Sequence, residues 1–179
     1  MNIVLPILLA LPILIVILLI TAAFVPKEYS VVREISIEKP RMIVFEYLKF
    51  LKNQNHFSKW ALIDRHMMMD YTGTDGKVGF VASWDSSIKG VGKGEQEIKN
   101  IIPGERIDLI IRFIKPMPGY AHSCFITESL SLQETNVKWG FDSQLKYPMN
   151  LLLLFMNMEK SIGEDLETGL SNLKRILEK

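Results

Sequence analysis

The sequence predicts an α+β domain, with an antiparallel sheet of about seven strands, one long C-terminal helix and an apolar helix ahead of them. Three observations predict it. Residues 3–26 carry no charged side chain. Short segments of alternating apolar and polar residues then follow one another through turn-forming residues. The chain closes on an apolar stripe at three- and four-residue spacing, as in an amphipathic helix. Helices segregated to one face of an antiparallel sheet satisfy that order.

The first element is Ile3–Val25 (IVLPILLALPILIVILLITAAFV). As a helix rising about 1.5 Å per residue it matches a hydrocarbon layer of roughly 30 Å. Pro6 and Pro12 would be tolerated better there than in a helix surrounded by water. A cleaved signal peptide is the alternative, but the basic leader is missing and the apolar run exceeds the usual length. The expectation is a transmembrane anchor over residues 3–25 and a second domain over 28–179. Lys27, Arg33, Lys39 and Arg41 follow closely, so the positive-inside rule favours a cytoplasmic domain on a single-pass membrane protein.

Tyr29–Glu38 alternates, with Val31, Arg33, Ile35 and Ile37 on one face; Arg33 is the exception on an apolar side. Lys39-Pro40 opens a helix, since proline near the first turn removes a donor that has no partner anyway. Ile43, Val44, Tyr47, Leu48 and Leu51 keep helical spacing, and residues 53–64 hold room for a second short helix. Strands are expected over 67–72, 77–85, 91–101, 106–114, 121–132 and 137–146. The connections between them are short, which favours a meander. Pro148 ends the last strand, and Asn150 is placed as the N-cap of the long helix. In that helix Ile162, Leu166, Gly169, Leu170, Leu173, Ile176 and Leu177 form the buried stripe, and Glu164, Asp165 and Glu167 are solvated. Leu151–Met156 is apolar all round, either buried on every side or exposed at a cavity mouth beside a bilayer.

Composition narrows the chemistry. The 21 Lys+Arg and 20 Asp+Glu leave a net charge of +1, without the basic excess of a nucleic-acid platform. One cysteine, Cys124, excludes an internal disulfide and a multi-cysteine zinc site, and reads as a small buried hydrophobe on a strand. Gly90-x-Gly92-x-Gly94 lacks the strand–turn–helix context of a dinucleotide fingerprint and reads as a hairpin or bulged strand. Glu95 and Glu97 share a strand face and read as solvated. No metal and no cofactor is expected.

Six segments in order resemble the SRPBCC superfamily, the START-like or polyketide-cyclase-like proteins. They are Tyr29–Phe45 (YSVVREISIEKPRMIVF), Phe57–Asp64 (FSKWALID), Val91–Ile98 (VGKGEQEI), Pro103–Ile107 (PGERI), Tyr147–Leu154 (YPMNLLLL) and Gly163–Lys174 (GEDLETGLSNLK). The resemblance covers residues 28–177, although no single segment is specific. It implies the helix-grip fold, a bent sheet around the C-terminal helix with a cavity between them.

That cavity would be lined mainly by aromatic and other apolar side chains. Trp60, Phe80, Trp84, Phe113, Phe125, Trp139 and Met156 come from the surrounding segments and are the expected ligand contacts. The expected partner is a hydrophobic small molecule or lipid, with the membrane reached through the N-terminal helix. Two other readings stand beside it. One is a cyclase/dehydratase-like enzyme in which His122, Arg112 and Glu128 converge inside the cavity. The other is a protein-interaction module like the chaperone-activating domains, which requires a filled core.

Overall fold

The computed structural model describes residues 4–88 and 90–179, the first six of these by backbone alone. Seven strands form one sheet: β1 (Glu28–Ile37), β2 (Met68–Thr72), β3 (Val81–Asp85), β4 (Lys93–Ile102), β5 (Arg106–Lys115), β6 (Gly119–Ser131) and β7 (Glu134–Gln144). Their spatial order is β1-β7-β6-β5-β4-β3-β2, with antiparallel neighbours throughout. The meander follows from tight turns. Gly76, Gly92 and Gly104 adopt φ of +77°, +64° and +76° in the loops that join or precede strands, a region in which a Cβ is strained. The Gly90–Gly94 run leads out of the β3–β4 turn into a β4 register shift between Lys93 and Gly94.

Four short helical pieces cross from β1 to β2: α2 (Arg41–Lys49), a 3-10 turn at Leu51–Asn53, α3 (Gln54–Phe57) and α4 (Lys59–Ile63). Pro40 is the N-cap of α2, and its carbonyl accepts from Val44 N at 3.3 Å. The buried stripe is Val44, Phe45 and Leu48; Ile43, expected inside, is 53% exposed. Asp75 holds the next turn by accepting from Leu51 N and Lys52 N.

The long helix α5 (Met158–Leu177) packs across β1 and β7. It starts later than the sequence suggests. Met149–Leu154 is a 3-10 segment, and Asn157 caps α5, its side chain accepting from Lys160 N at 2.9 Å. Asn150 is instead wholly buried and donates through Nδ2 to Ala22 O and Val25 O at 2.7 and 2.9 Å. It terminates the N-terminal helix α1 (Val4–Phe24) in trans, satisfying carbonyls that a helix end leaves open. Leu154, Phe155 and Met156 are exposed, so this stretch is not buried on every side.

Arg33 finds its partners on α5. Its Nη2 and Nε donate to Glu159 and Glu167 at 2.6 and 2.5 Å, and hydrogen bonding to both carboxylates raises its pKa further. Gly163 lies under the guanidinium, where any Cβ would overlap it. The exception in the β1 pattern is therefore a strand-to-helix clamp.

The expected single-pass membrane localisation is corrected here: among the described residues, no helix is long and apolar enough to cross a membrane. Ile3 and the Pro6 side chain, used in the sequence reading, lie outside the described residues.

Candidate functional site

A cavity of about 380 Å³ opens between the sheet and the first half of α5. Its floor is the inward face of the central strands: Leu109, Ile111 and Phe113 from β5, Ser123 from β6, Trp139 and Phe141 from β7, and Gln96 from β4. Strand periodicity explains that set, because every second residue faces the helix layer. Trp84 closes one side from β3 and Tyr29 the other from β1. The roof is Met158, Ser161, Ile162 and Asp165 of α5, and α3 and α4 add Gln54, Trp60 and Ala61.

The rings that border the space are held by local bonds. Trp139 Nε1 donates to Ser123 Oγ at 3.1 Å, and Ser123 Oγ donates on to Gly140 O at 2.9 Å. Trp139 meets Phe57 and Trp60 edge-on, with centroids 5.7 and 6.1 Å apart, and lies against Phe125 at 4.8 Å. It passes beneath α5 at Gly169, where a Cβ would come to 2.5 Å from Trp139 Cζ3. Trp84 Nε1 donates to Val91 O at 3.3 Å, and its ring crosses β4 at Gly94, where a Cβ would sit 2.5 Å from Cζ2. Trp60, Trp84 and Trp139 are all the tryptophans of the chain, and each lines the cavity.

Polar side chains punctuate the apolar wall, Asn55 and Ser58 besides those already named. Asp165 is paired with Lys59 across the α4–α5 gap. Burial raises the Tyr29 hydroxyl above its ordinary pKa, partly offset by its bond with Ser143, so the phenol stays neutral. Gln54 is 7% exposed, and its Nε2 is buried without a hydrogen-bond partner.

Of the residues expected to touch ligand, Trp60, Trp84, Phe113 and Trp139 border the cavity. Phe80 and Phe125 are each 1% exposed and belong to the closed core, Phe80 stacked on Tyr71 with centroids 6.0 Å apart and Phe125 behind Trp139. Met156 lies outside, 50% exposed. The chain is still irregular there, and the methionines that border the cavity are Met67, Met69 and Met158, the last in the first turn of α5. Asp165, expected in solvent, forms part of the roof.

His122, Arg112 and Glu128 do not converge inside. All three occupy outward positions of β5 and β6, alternating with the buried Leu109, Ala121, Ser123, Phe125 and Thr127. His122 is exposed beside Tyr120, Glu128 pairs with Lys138, and Arg112 bridges Glu95 and Glu97 at 2.8 and 2.7 Å. Cys124 is on the same outer face; burial pushes its thiol up, opposite to an activated nucleophile. Among the described residues no cluster of His, Cys, Asp and Glu has metal-binding geometry.

No protein-family model matches this chain. No curated protein matches it by sequence. Solved structures do match. Norcoclaurine synthase from Thalictrum flavum, in complex with dopamine and hydroxybenzaldehyde, aligns at TM-score 0.59 and 8% identity over 84% of this chain and 86% of its own. The Aha1 dimer from Colwellia psychrerythraea aligns at TM-score 0.57 and 14% identity, covering 84% of this chain and 96% of that one. DynU16, a protein from the dynemicin biosynthetic locus, gives TM-score 0.57 and 14% identity, covering 84% of this chain and 47% of that one. Likeness at these identities shows the fold: a seven-stranded antiparallel sheet gripping a C-terminal helix.

Proposed function

We propose that this chain is an SRPBCC-type binding protein for a hydrophobic small molecule held between the sheet and α5. The observation that carries the reading is the cavity, about 380 Å³, walled by three tryptophans, two phenylalanines and further apolar side chains. That size and lining suit a compact apolar or aromatic ligand. Burying such a ligand releases water from surface on both partners, worth about 25 cal/mol per Å² of apolar area. The hollow supports this reading over a filled interaction module. A structure of the same fold is in complex with dopamine and hydroxybenzaldehyde, two aromatic molecules small enough for such a space.

Because every tryptophan borders the cavity, intrinsic emission reports its occupancy. Purified full-length chain is expected to retain an apolar molecule in native mass spectrometry, or to bind Nile red with a change in tryptophan emission. Ala61→Trp, which places a large ring at the wall, should abolish both signals while leaving the circular dichroism spectrum unchanged. Undiminished dye binding in a folded Ala61→Trp variant would place the dye elsewhere and remove the support for this cavity.

A further inference from the structure

We infer that the cavity selects a hydrophobic organic cation, a substituted or quaternary ammonium on an apolar or aromatic body, with its nitrogen between the Asp165 carboxylate and the tryptophan rings. The inference rests on the cavity reading above and deepens it by fixing the sign of the ligand's charge.

Among the described residues the cavity wall holds one charged side chain, that of Asp165. Gln54, Asn55, Ser58, Gln96, Ser123 and Ser161 also reach the wall, but they are neutral and offer both donor and acceptor atoms. They can serve a ligand of either polarity, so Asp165 sets the sign of the field. Lys59 engages its Oδ1, and the hydrogen bonds of the described residues leave Oδ2 without a donor. Lys59 is not part of the wall, and its side chain is 38% exposed against 19% for Asp165. The pair therefore turns its negative end to the cavity and its positive end to water.

The rings add to that sign. Trp60 follows Lys59 in the chain, and Trp139 lies under Gly169, about one helical turn from Asp165. The two indoles meet edge-on with centroids 6.1 Å apart. With Tyr29, Trp84, Phe113 and Phe141 they make six aromatic side chains around the space. Aromatic faces carry negative potential and attract cations, ammonium ions in particular. An anion would meet those faces and a carboxylate, with no cation of the described wall to pair it, and a buried charge without a partner is strongly unfavourable.

The test titrates the full-length protein, followed by tryptophan emission, with phenyltrimethylammonium, its neutral isostere tert-butylbenzene and the anion benzenesulfonate. Phenyltrimethylammonium is expected to bind at least about tenfold more tightly than benzenesulfonate. Asp165→Asn should weaken the cation about tenfold and leave tert-butylbenzene within about twofold. Lys59→Met removes the competing ammonium and should tighten the cation instead, whereas a merely structural ion pair predicts that both variants weaken both ligands. Where either variant fails to fold, the other and the wild-type order decide the question. Binding of tert-butylbenzene, with benzenesulfonate as tight as the cation or with a cation affinity that neither substitution moves in the stated direction, would overturn the inference and leave the cavity reading in place. Failure of all three compounds to bind would overturn the two together.

Discussion

Where α5 ends, Leu166, Leu170 and Leu173 join Phe45, Leu48, Leu51, Ile107 and Val137 in a core whose members are 1% exposed or less. Where α5 begins, Met158 and Ile162 face Trp84 and Phe113 across open space. Both halves lie between the same sheet and the same helix, and both are built from apolar residues. They differ in what holds their side chains. In the closed half, aliphatic chains and phenylalanines have no polar handle and interdigitate until the space is filled. In the open half, the indole N–H groups of Trp84 and Trp139 are tied to Val91 O and Ser123 Oγ, which keeps the rings against the walls. Trp139, seated under Gly169, is the partition between the two halves. A hollow is thus maintained by hydrogen-bonded rings and by glycines that let those rings lie flat.

Truncation at the two ends should separate them most. Phe125→Ala, in the closed half, is expected to lower stability by about 3–5 kcal/mol, as for a buried phenylalanine replaced by alanine. Phe113→Ala, which already borders space, should lose about 2 kcal/mol or less, because less packing is forfeited. Urea unfolding of both variants checks this, and equal losses would break the comparison.

The partition itself comes next. Gly169→Ala drives a methyl toward Trp139 Cζ3 from 2.5 Å, an overpacking expected to cost about 1–3 kcal/mol. The ring can move only toward the open side, so tryptophan emission should shift and dye affinity should fall. Unchanged emission would show that the ring does not divide the halves.

A junction outside both halves sharpens the contrast. Asn150→Leu removes the two bonds from Nδ2 to Ala22 O and Val25 O, at roughly 1–2 kcal/mol for each carbonyl left unpaired. Faster hydrogen exchange in α1, with ligand affinity unaltered, is the expected result.

The smallest effect is on the outer face. Hydrogen bonds from Lys99, and then Arg112, hold the Glu97 carboxyl below its usual range. Its folded pKa is depressed, so its contribution is present above the ordinary carboxylate pKa and is lost as pH falls through the lowered value. Glu97→Gln should flatten that acid limb of the stability curve and leave dye binding untouched. An altered affinity would mean that the two faces of the sheet are coupled.

Much of this architecture was legible beforehand, because it depends on local periodicity. The alternation of Val31, Arg33, Ile35 and Ile37 puts the same set inward on β1 in the structure, and the stripe through Leu166, Leu170 and Leu173 is the buried face of α5. The parity of β6 was harder to read. Its inward set includes Ser123 and Thr127 and its outward set Cys124 and Ile126, so hydrophobicity does not separate the faces, and only the enzyme alternative placed His122 inward, whereas it points out. Phe80, Phe125 and Met156 were expected beside ligand on ring or side-chain type alone, which does not distinguish a wall from the core behind it or from the surface. Gln54 gave no signal, since a glutamine in a polar stretch before an aromatic turn reads as solvated.

The sequence by itself determined the element order, the meander, the strand boundaries to within a few residues and the helix that the sheet grips, because each follows from neighbouring residues along the chain. The start of α5, the role of Asn150, the clamp of Arg33 on Glu159 and Glu167, and the division into a closed and an open half were decided only in the tertiary structure. Each joins residues distant along the chain, and whether facing side chains fill a space or line it depends on where their polar atoms find partners.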